Sequence, residues 1–158
     1  MNNITTIKQR FIQEFGEAYI HYGLPKLMGR IVGLLLFSGK AISLDEITTE
    51  LNVSKGPVSQ IMNRLRDHNL IERVWIPGDR KDYYKPHDEI FGNAFRNQML
   101  LQKKNLDLAH RYEEIIENID SEEVHNFRKN IHEMKEFYQK MEITYENFLT
   151  EWLSRLKS

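Results

Sequence analysis

The chain has 158 residues, 41% of them hydrophobic and 28% charged, the balance of a folded protein of one domain, or one domain with an appendage. Lys and Arg number 22 against 23 Asp and Glu, a net charge of −1 that excludes a histone-like polycation but leaves room for a local basic patch. There is no cysteine, which excludes disulfides, thiol catalysis and zinc–thiolate sites.

The opening residues are polar and lack the apolar stretch of a signal peptide. The longest apolar run, Ile31 to Phe37, is far too short to cross a bilayer. A cytoplasmic protein without membrane partners is expected.

Ile4, Ile7, Phe11, Phe15, Ala18, Tyr19 and Tyr22 recur at helical spacing and predict a helix over 4–22, closed by Gly23. A second helix, 25–38, opens with Pro25 and is apolar nearly all round, so it is expected to be buried on most sides. Gly29 and Gly33, four residues apart, suit a close helix crossing. Ala41-Ile42-Ser43 has room only for a very short strand. Ser43 and Glu46 form a capping box that starts a helix over 44–52. After the turn Asn52-Val53-Ser54, Ser54 is the N-cap of a helix over 55–68, with Pro57 in its first turn. Val58, Ile61, Met62 and Leu65 form its inward face.

Residues 70–76 and 82–86 read as the two strands of a β-hairpin around Pro77-Gly78-Asp79-Arg80-Lys81. Two helices are predicted beyond it, over 88–118 and 121–157, the second opened by an Asp120/Glu123 capping pair. Val124, Phe127, Ile131, Met134, Tyr138, Met141, Tyr145, Phe148 and Trp152 alternate at spacings of three and four, a heptad seam. At 1.5 Å per residue this helix is roughly 55 Å long, against about 30 Å for a small domain. It is too long to bury the whole seam inside its own domain, and a second copy of the chain is the simplest cover. The last eight of these residues are therefore the expected dimerisation set. The many aromatic rings are bulky for a two-stranded zipper, so the expected interface is a multi-helix one with the N-terminal helix contributing.

The order helix, helix, short strand, helix, turn, helix, hairpin is that of a winged helix-turn-helix. The expected fold is mainly α with a small β-wing: an N-terminal helix over 1–24, a winged domain over 25–87 and long C-terminal helices over 88–158. With its apolar face held inward, helix 55–68 projects Ser54, Lys55, Ser59, Gln60, Asn63 and Arg64 as one ridge. These are the side-chain types that read base edges and phosphates in a major groove. Gly56 lets the helix N-terminus approach a phosphate. Arg80 and Lys81 at the wing tip, with Arg73 on its leg, suit phosphate or minor-groove contact. Arg66 lies off the ridge and reads as a flanking phosphate contact or a plain surface residue.

The Ser-Lys-Gly-Pro-Val-Ser stretch with the following Arg-Leu resembles the recognition helix of MarR-type regulators. The segment from Tyr22 to Ile31, Glu72-Arg73-Val74, Pro77-Gly78-Asp79-Arg80-Lys81 and Tyr83-Tyr84 resemble more narrowly the GbsR-like branch. The resemblance covers about residues 10–90. It implies a homodimeric transcription regulator, often a repressor released by a small ligand, binding double-stranded DNA at a pseudo-palindromic operator. A crevice near Phe11, Phe15, Tyr19 and Phe91 is the expected place for such an effector.

Other readings carry less. Winged helices also serve as protein-interaction modules, the main rival to DNA binding. An enzyme has little support, because no Gly-rich phosphate loop, nucleophile elbow or metal motif is present. No cofactor is implied. The six histidines include no pair at i, i+4 spacing, so no metal site is expected. Trp75, Tyr83 and Tyr84 suit ordinary hairpin packing better than an aromatic cage for a quaternary ammonium ligand.

The near-neutral total hides a division. Residues 54–87 carry seven cations and four anions, net +3, whereas residues 88–158 carry ten and fourteen, net −4. The charge that suits DNA is gathered on the proposed reading elements.

Overall fold

A computed structural model describes residues 3–157. The elements are α1 (Ile4–His21), α2 (Lys26–Ser38), β1 (Ile42–Ser43), α3 (Leu44–Leu51), α4 (Lys55–Asp67), β2 (Ile71–Val74), β3 (Tyr83–Pro86), α5 (Ile90–Ile116) and α6 (Glu122–Ser154), ending in a 3-10 turn, Arg155–Lys157. They form two compact units, divided between Phe91 and Gly92. No helix among the described residues is long and apolar enough to cross a membrane.

The first unit is a winged helix-turn-helix preceded by α1. Its core centres on α2, whose Ile31, Val32, Leu34 and Leu35 are fully buried together with Ile47 of α3 and Val58, Met62 and Leu65 of α4. That accounts for the all-round apolarity of α2. The α1–α2 crossing depends on glycine. A Cβ on Gly29 would stand 2.6 Å from the Phe15 carbonyl oxygen and 2.8 Å from Gly16 Cα. One on Gly33 would meet the Phe15 side chain at 3.2 Å. Phe11, Phe15 and Tyr19 form a tilted ladder along α1, with successive ring centroids 5.4 Å apart. Phe15 and Tyr19 are half-buried at this crossing. Burial pushes the Tyr19 phenol up to about 12.

The capping box at α3 is present in full: Ser43 Oγ accepts from Glu46 N at 3.1 Å and Glu46 Oε2 accepts from Ser43 N at 2.9 Å. Asn52 ends α3 in the left-handed region, with φ 53°, a conformation Asn tolerates. Arg30 of α2 donates to the Leu51 carbonyl at 3.1 Å, tying the end of α3 to the buried helix just before the turn.

The sheet order is β1-β3-β2, antiparallel throughout. Tyr84 pairs with Ile42 on one side and Arg73 on the other. The ladder is shorter than the sequence predicts: Leu70, Trp75, Ile76 and Asp82 fall outside it, so the wing connection spans residues 75–82.

The second unit contains most of α5 and all of α6, which run antiparallel: Phe95 meets Tyr145 and Phe148 at 5.0 Å between centroids, and Tyr112 meets Phe127 at 6.2 Å. The cap of α6 is Ser121, whose Oγ accepts from Val124 N at 3.2 Å, not Asp120. Asp120 instead lies 2.9 Å from His125 Nε2. Arg128 closes the other side of the turn, donating to the Ile116 and Ile119 carbonyls at 2.7 and 2.9 Å. Cationic donors at a helix C-terminus satisfy the last carbonyls and complement the helix dipole. Lys135 and Glu113 pair at 2.7 Å across the helices, which lowers the Glu113 carboxyl below its usual range.

The heptad seam therefore has a cover within its own chain. Ile131 is buried, and Val124, Met134, Tyr138, Met141, Tyr145 and Trp152 are half-buried. Phe127 and Phe148 stay exposed, as do Phe137 and Ile143 off the seam, each 60% accessible.

Candidate nucleic-acid interface

Helix α4 buries Val58, Ile61, Met62 and Leu65. This fixes its rotation, and the opposite face follows from the helical period. Ser54, Lys55, Gly56, Gln60, Asn63 and Arg64 are exposed and Ser59 is half-buried. The structure brings all of these onto or beside one outward ridge.

Two features stand out at the start of α4. Ser54 occupies the N-cap with extended backbone, φ −67° and ψ 155°, yet its side chain makes no capping hydrogen bond. Its hydroxyl is not engaged in the role the sequence suggests. Gly56 is equally unconstrained: a Cβ there would meet nothing within 4 Å. No contact inside the chain calls for its missing side chain, which matters only to something approaching from outside.

The wing is braced at its tip. Asp79 N donates to the Ile76 carbonyl at 3.1 Å, with Pro77 and Gly78 between them and Gly78 at φ +83°. That is a type II turn, with proline and glycine at the positions their backbone preferences favour. Asp79 then accepts twice, from Lys81 N at 2.9 Å and from the Tyr83 hydroxyl at 2.6 Å. The Tyr83 bond is the main reason the Asp79 carboxyl sits below its usual range, and it holds the Tyr83 phenol above its own.

The wing cations differ in what they already hold. Lys85 pairs with Glu72 and Asp88, each at 3.5 Å, and these carboxylates raise its pKa. Arg73 lies 3.8 Å from Asp82 and Lys81 lies 3.9 Å from Asp45, all four being well exposed. Exposed pairs of this kind are worth ~0–1 kcal/mol, so a phosphate can displace the carboxylates. Arg80 is exposed and forms no ion pair among the described residues.

The buried Tyr84 phenol is raised by desolvation first and by Asp82 second, while Arg66 and Arg73 pull it down. Arg73 is the strand partner of Tyr84, and Arg66 is exposed in the last turn of α4, off the ridge.

No protein-family model matches the chain. It is similar to two proteins of Bacillus subtilis along nearly its whole length. The putative HTH-type transcriptional regulator YvaV is 27% identical, the match covering 97% of this chain and 88% of that protein. The HTH-type transcriptional repressor OpcR is 24% identical, covering 94% and 81%. A crystal structure of a transcriptional regulator matches with TM-score 0.76 and 23% identity over 93% of this chain and 98% of that one. The fold is a winged helix-turn-helix carried with long helices before and after it.

Proposed function

We propose that the chain is a sequence-specific DNA-binding transcription regulator of the MarR type that acts as a homodimer on a pseudo-palindromic operator. The observation that carries this reading is the exposed polar ridge of α4 together with the exposed cations of the braced wing. The full-length similarity to HTH-type regulators supports it. Ser59, Gln60, Asn63 and Arg64 read base edges. Ser54, Lys55, the Gly56 backbone, Arg73, Arg80 and Lys81 hold phosphates. Two copies of α4 enter successive major grooves, with half-sites about one helical turn apart.

The homodimer is supported by apolar surface that a lone chain leaves wet: Leu100, Leu101 and Ile115 on α5, Phe137 and Ile143 on α6, and Ile4 and Ile7 on α1. Because α5 already takes part of the heptad seam, the dimer surface draws on side chains off the seam as well as on Phe127 and Phe148. Placement in the GbsR-like branch rests on the segments around Tyr22–Ile31 and Pro77–Tyr84. A repressor released by a small-molecule effector is the regulatory mode that fits this branch.

Selection of duplexes from a random pool by the purified chain, followed by sequencing, tests the reading. A recovered motif with two-fold symmetry is the expected result. No retention of any duplex even at low salt would favour a protein-interaction module instead.

A further inference from the structure

We propose that Trp75 is a non-ionic DNA contact of the wing, its indole packing on the deoxyribose wall of the minor groove beside the phosphates held by Arg73 and Arg80. The inference rests on the DNA-binding reading and adds a residue and a kind of contact to it.

Trp75 is 76% exposed, the highest value among the exposed large apolar side chains of the described residues. The other tryptophan, Trp152, is half-buried, with the Arg155 guanidinium 3.6 Å from its ring centroid. Removing a large apolar side chain from water is favourable, and at Trp75 folding leaves that gain unrealised.

Its position says which surface can realise it. Ile71 and Arg73 share one face of β2, and Trp75 continues that alternation one step past the strand. Ile71 is 3% exposed, and Tyr84, paired with Arg73, is 6% exposed. The face that packs inward near the base of the wing thus emerges further out as Arg73 and then Trp75. The turn closed by Asp79 N and the Ile76 carbonyl begins at the next residue, so the backbone that carries Trp75 is held on both sides.

Charge selects the occupant. An apolar protein surface covering Trp75 would also desolvate Arg73 and its neighbours without replacing their solvation. A duplex offers both chemistries together: phosphates for the cations, and C–H-rich sugar edges at the groove wall for the indole. The net +3 of residues 54–87 agrees with a polyanionic partner.

A neutral side chain releases no counterion, whereas each phosphate contact by Lys or Arg adds about one unit to the salt slope of the affinity. Trp75→Ala is therefore expected to weaken binding to a fluorescein-labelled mixed-sequence duplex about tenfold at every salt concentration, with the slope unchanged. Wild-type tryptophan emission should change as this duplex is titrated in, and the change should vanish in Trp75→Ala. Trp75→Phe should recover part of the affinity. Duplex binding by wild type with Trp75→Ala affinity within twofold, or with tryptophan emission unmoved, overturns this inference alone. Failure of wild type to bind any duplex overturns the DNA-binding reading and this inference with it.

Discussion

The Tyr83 hydroxyl donates to Asp79 Oδ2 at 2.6 Å, joining the second wing strand to the tip turn that Asp79 itself closes. Arg80 and Lys81 sit between these two residues in the chain, so the brace sets where the tip cations stand. Asp79→Ala should weaken duplex binding several-fold by letting them wander, since ordering a side chain at an interface costs about 0.5–1.5 kcal/mol. Tyr83→Phe should reproduce much of that loss. Fluorescence anisotropy with a labelled duplex reads both, and an unchanged affinity in both variants would remove the brace from the binding account.

The brace also has a defined pH window. Asp79 titrates below its ordinary value when folded, so its contribution is complete above the unfolded carboxyl pKa and is lost as pH falls through the lowered one. Tyr83 titrates above its ordinary value, so its contribution is complete below the unfolded phenol pKa and is lost as pH rises through the raised one. Wing order should stay flat across neutral pH and fail at both extremes. NMR titration of the Tyr83 ring checks this; a change near neutrality would contradict it.

Arg80→Ala should weaken binding to every duplex and flatten the salt dependence of the affinity by about one unit of slope. Arg80 forms no ion pair among the described residues, so the variant unsettles no internal partner. An unchanged slope would remove Arg80 from the phosphate contacts.

Arg64 stands on the α4 ridge and should behave differently. Arg64→Ala is expected to cost about 1–3 kcal/mol at the preferred site and much less on mixed sequence. Equal losses on the two duplexes would make Arg64 a phosphate contact instead.

Gly29→Ala should destabilise the first unit by at least about 1–3 kcal/mol, the usual range for overpacking. The added methyl would press on the Phe15 carbonyl and Gly16 Cα, which are backbone and cannot swing aside. Thermal unfolding measures it, and a Tm equal to wild type would mean that α1 and α2 separate freely.

Much of this was legible from residue spacing. The Ser43/Glu46 box, the Gly29 and Gly33 crossing and the Pro77-Gly78 turn each depend on chemistry within a few residues, and each is present. The strand ends were less legible, because Trp75 and Ile76 have high β-propensity whether or not a partner strand reaches them. The α6 cap lies one residue from its predicted position because Asp120 and Ser121 are both good caps. The heptad seam showed that a cover exists but not whose it is: spacing is identical for α5 and for a second chain.

The uncapped start of α4 has a dynamic consequence. A serine cap normally shields an early amide of its helix, and Ser54 leaves that service undone. Ser43 caps the Glu46 amide of α3, whereas the equivalent position of α4 is Pro57, which has no N–H to cap. The amides of Lys55 and Gly56 should therefore exchange with solvent deuterium faster than that of Glu46. A bound phosphate oxygen would take the place of the missing cap. The first turn of α4 should then slow its exchange on binding DNA more than the start of α3 does, so the same backbone amides that receive the duplex would also record its arrival.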